Sequence, residues 1–314
     1  MSGFQKAKRE QIYAKVALIG PSGSGKSYSA LRLATGMIKD MNNNLEIYYI
    51  DTEGGRGKYY AEEFEYNYME ITEPYTTEKY IKAINDAVES GNCGVLIIDS
   101  TSHAWTGKGG ILEQHSKMPG NSYTNWATLT PKYNRFVDSI LTSKTHLIVT
   151  VRGKDECVLE EKDGKKVPKK VGLGGEIRQN FEYEMTVAFN IDQASHVANA
   201  TKDNTHIFED RYDVLTEKDG EKLARWANSG VAAKPKTVVV LEDDTDKLQS
   251  VLKELSEYCT NATKVEKIIT STNLSEKIGE LNNGVKNFMK NTDLDATLKL
   301  KDEIISYIEE LKKA

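Results

Sequence analysis

A glycine-rich segment near the start of the chain constrains its fold more than any other feature. Residues 20–27 read GPSGSGKS and match the phosphate-binding pattern G-x-x-x-x-G-K-[ST]. The run 15–19, KVALI, has the character of a buried strand, and apolar residues recur on one helical face after the loop. Those apolar residues are Ala30, Leu33, Ala34, Met37 and Ile38. A P-loop requires this order of strand, loop and helix.

The residue types in this segment suit a nucleoside triphosphate and its magnesium ion. Glycines let successive backbone N–H groups turn toward one phosphate chain, and the positive end of the following helix adds to the field. Lys26 can reach the β- and γ-phosphates, and the Ser27 hydroxyl can ligate Mg²⁺. We therefore expect ATP and Mg²⁺ as cofactors. The expected nucleotide contacts are Gly20, Pro21, Ser22, Gly23, Ser24, Gly25, Lys26, Ser27 and Tyr28.

Composition excludes several classes of protein. A net charge of −5 argues against a chain coated in positive charge for nucleic acid, although it allows a local basic site. The three cysteines are odd in number and far apart, which indicates reduced thiols rather than a disulfide framework. No signal-peptide segment and no apolar run long enough for a bilayer are visible. We therefore expect a cytoplasmic protein without a membrane partner, and no metal beyond nucleotide-bound Mg²⁺.

Strand-like and helical segments alternate through the first part of the chain, which predicts a parallel α/β sheet. Later strand signals follow one another without long helices, so we expect an antiparallel extension of that sheet. A helix is predicted to begin at Thr130 and Pro131, a favourable N-cap and first helical residue. The predicted strands are 45–51, 94–99, 146–151, 185–191, 196–201 and 205–208.

A change in composition near residue 231 predicts a domain boundary. Residues 231–237 read VAAKPKT and resemble a linker, and only helical apolar patterns follow them. We predict a nucleotide-binding domain over 1–230, a linker over 231–237 and a helical C-terminal region over 238–314. That region is interpreted as a small bundle for assembly or partner contact, with a solvated helical tail as the alternative.

Polar residues at the ends of three predicted strands suggest the rest of a hydrolytic site. Asp99 ends the apolar run VLIID and could hold Mg²⁺ through water beside Ser27. Glu53, just beyond another strand, could orient and polarise the attacking water. Thr150 could sense the γ-phosphate, and Arg152 could pair with an acid on the same rim. The alternatives are an aspartate that caps the next segment and a glutamate solvated in a loop.

Taken in order, these motifs resemble the core of the RecA-like ATPases, and more closely the phage-encoded, AAA-type ATP-binding proteins implicated in single-strand annealing and recombination. The resemblance covers about residues 4–230 and is carried by the P-loop, DTE at 51–53 and IDS at 98–100, with further matches such as TKD at 201–203. It implies a RecA-like P-loop NTPase fold and a catalytic Glu53. It also implies that a basic residue from a neighbouring subunit completes the site, for which Lys202 is the candidate. Asn204 stands where the family usually has a second basic residue.

A basic segment follows the strand that ends near Thr150, where RecA-like proteins place a mobile DNA-binding loop. It reads as a hairpin with a turn at 162–165, followed by a glycine-rich loop at 172–175. Lysines on such a ribbon could follow a phosphate backbone without reading sequence, and an ordinary solvated hairpin is the alternative. The candidate nucleic-acid contacts are Lys162, Lys165, Lys166, Lys169, Lys170 and Arg178.

A second loop, predicted at 102–126, carries Trp105, Tyr123 and Trp126. These aromatic residues could stack on unpaired bases or form a core cluster.

The sequence thus predicts a Mg²⁺-dependent ATPase that is stimulated by single-stranded DNA and acts in phage-type recombination or annealing. A homo-oligomer, either a ring or a filament, is expected, and other replication or recombination proteins are candidate partners. One alternative is a nucleotide-switched assembly or loader protein without DNA-stimulated turnover. The other is a P-loop small-molecule kinase, which should carry an arginine-rich lid that the sequence does not display.

Overall fold

Apolar strands and amphipathic helices alternate along the chain to form a central sheet with helices on both faces. The computed structural model describes residues 6–41, 44–162 and 165–231. The strands are β1 (Lys15–Gly20), β2 (Glu46–Asp51), β3 (Asn67–Glu70), β4 (Cys93–Asp99), β5 (His146–Lys162), β6 (Lys165–Gly175), β7 (Val187–Ile191) and β8 (Ala198–Asp203). The α-helices are α1 (Lys26–Lys39), α2 (Thr77–Glu89), α3 (Ser102–Thr106), α4 (Ile111–Lys117), α5 (Ser122–Thr142) and α6 (Glu217–Asn228), and two short 3₁₀ helices span Arg56–Tyr60 and Phe181–Glu184.

The sheet is parallel at its centre and antiparallel at one side. Within the described residues its order is β3-β2-β4-β5-β1-β7-β8, and β6 pairs with β5 off this path. The first six strands of that order are paired in parallel, whereas β8 runs antiparallel to β7 and β6 antiparallel to β5. This arrangement confirms the predicted α/β fold, with a mainly parallel central sheet and an antiparallel extension. The carboxyl ends of β1 and β4 meet residues 150–152 of β5 at one edge of the sheet, where a ligand site is expected in such folds.

Both faces of the sheet are covered by apolar packing, as a parallel sheet requires. One core contains α1 and α6, and the other contains α2 and α5. The helices α1 and α6 approach closely at two glycines. A Cβ added at Gly36 would lie 1.8 Å from the Glu217 carbonyl oxygen, and one at Gly220 would lie 2.1 Å from the Leu33 carbonyl oxygen. The spacing between these two helices therefore depends on residues without a side chain.

The predicted start of a helix at Thr130 is wrong. Helix α5 begins at Ser122, where the Asn121 side chain caps it by accepting a 2.8 Å hydrogen bond from the Tyr123 N–H. Pro131 lies inside the helix, although an internal proline costs about 3 kcal/mol. The apolar face of α5 outweighs that cost, because each fully buried large side chain contributes about 1.5–3 kcal/mol to the stability of the folded protein. The buried apolar residues of this helix are Leu129, Tyr133, Phe136 and Ile140.

The predicted strand at 205–208 is also wrong. The Asp203 carboxylate accepts hydrogen bonds from the backbone N–H groups of Thr205 and Phe208, both at 2.7 Å. These bonds compete with sheet pairing and fold the segment into bends. Phe208 is nevertheless buried, with its ring centroid 5.0 Å from that of Phe189. The segment therefore contributes to the core without forming the predicted strand.

Two predicted loops contain regular structure, and one strand was not predicted. The glycine-rich stretch 172–175 is not a loop but the end of β6, where it pairs with residues 153–156 of β5. The predicted loop 102–126 contains α3, α4 and the start of α5. Strand β3, at the edge of the sheet, was not predicted, since its exposed and polar pattern resembles a loop.

The predicted domain boundary falls at the end of the described part of the chain. Apart from Val231, the predicted linker 231–237 and helical region 238–314 lie outside the described residues. Within the described residues, no helix is both long enough and apolar enough to cross a membrane.

Candidate active site

The P-loop connects β1 to α1 and places Lys26 at the first helical position. Gly23 and Gly25 have φ angles of 82° and 84°, a left-handed conformation that glycine adopts without strain. The largely buried Lys26 ammonium donates hydrogen bonds to the carbonyl oxygens of Gly20 at 2.8 Å and Pro21 at 2.7 Å. Burial lowers the pKa of Lys26, and the nearby Asp99 carboxylate opposes that shift. The loop thus presents a positive group and the N-terminus of α1 to the same space.

Asp99, at the end of β4, accepts hydrogen bonds from three other elements. The Ser27 and Tyr49 hydroxyls each donate to its Oδ2 at 2.5 Å, and the Thr150 hydroxyl donates to its Oδ1. Burial and the Asp99 charge raise the pKa of Tyr49, so this phenol remains protonated and acts as a donor. Ser27 and Asp99, the two residues predicted to hold Mg²⁺, are therefore in contact, with Thr150 beside them.

Glu53 lies just beyond β2 and forms a two-pronged ion pair with Arg152 of β5. The guanidinium Nε donates to Oε1 at 2.9 Å and the Nη2 donates to Oε2, while the Ser100 hydroxyl donates to Oε1 at 3.0 Å. Burial alone would raise the pKa of Glu53, but the Arg152 guanidinium outweighs it and holds that pKa below its ordinary value. The predicted pairing of Arg152 with an acid on the same rim is present, and the acid is Glu53.

The loop that carries Glu53 is held by Asp51, a residue to which the sequence assigned no role. The Asp51 carboxylate accepts hydrogen bonds from the N–H groups of Glu53 at 2.5 Å and Gly57 at 2.7 Å. The Tyr68 hydroxyl donates to the same carboxylate at 3.0 Å. Asp51 therefore positions the backbone of the loop, and only its place at the end of a buried strand could have signalled this.

The turn between β7 and β8 lies against the P-loop, which no sequence motif indicated. The Gln193 amide donates to the Ser22 carbonyl oxygen at 2.8 Å, and the His196 Nδ1 lies 3.1 Å from the Ser24 carbonyl oxygen. A cavity of about 910 Å³ opens beside this contact. Its lining includes Pro21, Gly153, Asn190, Asp192, Gln193 and Tyr212. A volume of this size can hold a nucleoside next to phosphates on the loop.

Lys202 lies away from the P-loop of its own chain. It is on β8 opposite Ala188, which the sheet register places beside Ala17 in the middle of β1 rather than at Gly20. Its ammonium donates to the Tyr183 carbonyl oxygen. The structure therefore does not bring Lys202 together with Lys26, Asp99 and the other site residues.

The predicted nucleic-acid residues fall into two groups. The five lysines Lys162, Lys165, Lys166, Lys169 and Lys170 are on the β5–β6 hairpin, where Lys162 and Lys165 face each other across the predicted turn. Arg178 lies beyond the hairpin and packs on α5, with its guanidinium 5.6 Å from the centroid of the Tyr133 ring. The hairpin lysines therefore share one ribbon, and Arg178 belongs to a different surface.

The aromatic residues of 102–126 are packed differently from one another. Trp105 and Trp126 stack with centroids 5.8 Å apart, and Trp105 also contacts Tyr133. Tyr123, by contrast, is 83% exposed. The two tryptophans thus belong to an aromatic cluster on the core, which was the second of the two interpretations.

Two solved structures are similar to part of this chain. The DNA-packaging ATPase B204 of Sulfolobus Turreted Icosahedral Virus is 15% identical, over 56% of this chain and 74% of that one, with a TM-score of 0.33. The KaiC-like protein PH0186 of Pyrococcus horikoshii OT3 is 10% identical, over 65% of this chain and 82% of that one, with a TM-score of 0.33. No curated protein matches the chain.

A family model described as an AAA domain matches residues 12–216, more than half of the chain. The match runs from the residues before β1 to the N-cap of α6. The match therefore includes the P-loop, Glu53, Asp99 and Thr150. Asp99 and Thr150 lie at the same edge of the sheet as the P-loop, and Glu53 lies in the loop that follows β2. The chain belongs to this AAA-domain family and is a P-loop ATPase.

Proposed function

We propose that the protein is a Mg²⁺-dependent ATPase whose turnover is stimulated by single-stranded DNA, and that it acts in the cytoplasm in phage-type recombination or annealing. One observation carries the coupling between the two activities. Strand β5 contains Thr150 and Arg152 at the nucleotide site and continues without a break into the lysine-bearing hairpin with β6. DNA bound to the ribbon would therefore act on the same strand that contacts Asp99 and Glu53.

The residues at the site fit ATP with magnesium. Ser27 and Asp99 supply a hydroxyl and a carboxylate oxygen, which are ligands that Mg²⁺ prefers, directly or through water. A bound Mg²⁺ would neutralise charge on the β- and γ-phosphates during transfer. Lys26 would exchange its loop carbonyls for phosphate oxygens, and Thr150 would sense the γ-phosphate through Asp99. Glu53 would accept a proton from the attacking water once its carboxylate is free.

The DNA part of the proposal rests on charge. The whole chain carries a net charge of −5, whereas residues 165–178, on β6 and just beyond it, carry five basic residues and one acidic residue. The pairing strand β5 carries Asp155, Glu156, Glu160 and Glu161, which oppose DNA binding. The lysine-bearing ribbon would bind the phosphate backbone with little sequence preference and with strong dependence on salt.

Lys202 is assigned to a neighbouring copy. Because it is remote from its own P-loop, it could serve a γ-phosphate only across an interface in a ring or filament. Size-exclusion chromatography with and without ATP tests this assembly, and a protein that stays monomeric with ATP would contradict it. Other recombination or replication proteins are proposed as partners of such an assembly.

Steady-state ATP hydrolysis with Mg²⁺, with and without single-stranded DNA, tests the function. Lys26→Ala should abolish turnover, whereas a triple Lys166, Lys169 and Lys170→Ala variant should keep basal turnover and lose stimulation. Alanine at three exposed lysines on other elements, Lys144, Lys218 and Lys222, is the matched control. Turnover that DNA does not change would favour a nucleotide-switched assembly or loader protein. Turnover that requires a small-molecule acceptor would identify a kinase and overturn the proposal.

A further inference from the structure

The ion pair between Glu53 and Arg152 leaves the proposed general base occupied. Oε1 accepts from the Arg152 Nε at 2.9 Å and from the Ser100 hydroxyl at 3.0 Å, and Oε2 accepts from the Arg152 Nη2. The Glu53 side chain is only 13% exposed. A carboxylate with both oxygens in charge-assisted hydrogen bonds is a poor acceptor for a proton from water. Hydrolysis therefore requires that Arg152 leave Glu53.

The backbone of Arg152 is fixed, and its side chain is the part that can move. Its N–H donates to the Ser102 hydroxyl at 2.8 Å, and its carbonyl oxygen accepts from the Glu176 N–H at 2.6 Å. The Arg152 side chain is 39% exposed at the rim, in contrast to the enclosed Glu53. A change of rotamer would thus suffice to redirect the guanidinium without disturbing the sheet.

The sheet places Arg152 beside the P-loop. In the parallel pairing of β1 and β5 it lies opposite Gly20, the first residue of the loop, whose carbonyl oxygen accepts a 2.8 Å hydrogen bond from the Lys26 ammonium. A γ-phosphate on the P-loop would add negative charge to this space, whereas a nucleoside diphosphate would leave the γ-position empty. Arginine binds phosphate oxygens with the same two-pronged geometry that it uses for carboxylates.

We propose that Arg152 is a γ-phosphate-responsive positioning residue, which holds the Glu53 carboxylate until a nucleoside triphosphate takes its guanidinium and thereby frees Glu53 for the attacking water. This inference rests on the proposed ATPase function and deepens it. The two acceptors compete for one guanidinium, so a triphosphate must displace Glu53 from Arg152. The free energy needed to separate Glu53 from Arg152 therefore lowers the affinity for triphosphates and leaves the affinity for diphosphates unchanged.

Competition of this kind predicts a thermodynamic coupling between the two residues. Removing the Glu53 charge should release Arg152 in advance and strengthen triphosphate binding. Removing Arg152 should weaken triphosphate binding. Without Arg152, a change at position 53 should no longer alter the affinity for a triphosphate. Simple repulsion between Glu53 and the γ-phosphate predicts something different, because that repulsion would persist without Arg152. A double-mutant cycle separates the two explanations.

The experiment measures equilibrium affinities for Mg²⁺ with ATPγS and for Mg²⁺ with ADP. The proteins are wild type, Glu53→Gln, Arg152→Ala, the double variant and Arg152→Lys. Arg225→Ala, which removes an exposed arginine paired with Asp40 on another surface, is the control. Glu53→Gln should raise the ATPγS affinity about tenfold, and Arg152→Ala should lower it about tenfold. In the Arg152→Ala background, the Glu53→Gln change should alter it less than twofold, and ADP affinity should stay within twofold throughout.

Arg152→Lys should recover part of the ATPγS affinity that Arg152→Ala loses, since a lysine keeps the positive charge but cannot form the two-pronged hydrogen bond. Retained ADP affinity shows that each variant is folded. The proposal is overturned if Glu53→Gln strengthens ATPγS binding equally with and without Arg152, or if Arg152→Ala affects ATPγS and ADP alike or neither of them. These affinities need no turnover, so a wild-type protein that binds ATPγS without hydrolysing ATP would contradict the ATPase function separately.

Discussion

The hydroxyl of Ser27 donates a 2.5 Å hydrogen bond to the carboxylate of Asp99, although the two residues are 72 positions apart in the sequence. Ser27 is the last residue of the P-loop motif and lies in the first turn of α1. Asp99 ends β4, and β5 lies between β1 and β4 in the sheet. Thr150, on that intervening strand, donates to the other Asp99 oxygen. The parallel strands therefore bring the P-loop and the carboxylate that we propose as a magnesium ligand to the same point.

Asp99→Asn should weaken the use of magnesium. The amide keeps the shape of the side chain but loses the charge and one acceptor oxygen, so the Mg²⁺ concentration for half-maximal ATP hydrolysis should rise at least about tenfold. A magnesium titration of ATPase activity provides the measurement. Asp86→Asn, which alters a helix carboxylate paired with Lys82, should behave as wild type. An unchanged magnesium requirement in Asp99→Asn would exclude Asp99 as the metal-binding residue.

Glu53→Gln should separate ATP binding from hydrolysis. A glutamine cannot accept a proton from water, so kcat should fall by about 10²-fold or more, which is the usual contribution of a general base. Binding should survive, because Lys26 and the loop amides are untouched. Single-turnover kinetics measures the hydrolysis step, and an equilibrium titration measures ATP binding. The control is Glu62→Gln, at an exposed carboxylate. If Glu53→Gln hydrolyses ATP at the wild-type rate, another group activates the water.

Gly36→Ala should destabilise the protein more than most substitutions on a helix. Its Cβ would lie 1.8 Å from the Glu217 carbonyl oxygen, a backbone atom that cannot rotate away, so α1 and α6 must separate. Overpacking of this kind costs at least about 2 kcal/mol of unfolding free energy, which denaturant titration measures. Asn85→Ala, on the exposed face of α2, should change stability little. A Gly36→Ala protein as stable as wild type would show that the two helices can move apart freely.

Residues whose chemistry is local could be predicted from the sequence. The P-loop is a contiguous motif, and Asp99 ends an apolar strand, so the sequence sufficed to predict both, and the structure places Ser27 and Asp99 together. The parallel core followed from alternating strands and helices. The Glu53–Arg152 pair was only half visible, because the acid that Arg152 would meet depends on how β2 and β5 are ordered in the sheet.

The roles of residues that act through tertiary contacts could not be predicted from the sequence. Tyr49 has no distinguishing sequence signal, and the DTE motif assigns Asp51 no role, yet Tyr49 donates to Asp99 and Asp51 holds the Glu53 loop. The internal Pro131 and the bends around Asp203 were misread, since the first depends on packing that outweighs a local penalty. The second depends on a side chain that competes with the sheet for backbone N–H groups. The local preference of a residue for helix or strand predicts structure only where burial or a competing hydrogen bond does not contribute more free energy.

His146 should make the protein less stable in mild acid. It is 4% exposed, and its Nδ1 accepts a 3.1 Å hydrogen bond from the Ala14 N–H, which requires the neutral ring. Burial, helped by the positive charge of Lys15, lowers the pKa of His146 to about 4. In the unfolded chain a histidine titrates near about 6.5. Between these two values the unfolded state binds a proton that the folded state refuses, so unfolding becomes easier as the pH falls through this window.

The expected contribution is about 2 kcal/mol of unfolding free energy lost between about pH 7 and pH 5. Denaturant titration at both pH values measures it. His146→Asn keeps an acceptor near the position of Nδ1 without the ability to titrate, so its stability should fall less with acid by about that amount. His206→Asn, at an exposed histidine, should keep the full loss caused by His146. If His146→Asn and wild type lose stability in parallel, the folded protein accommodates a charged ring at this position, and the acid sensitivity originates elsewhere.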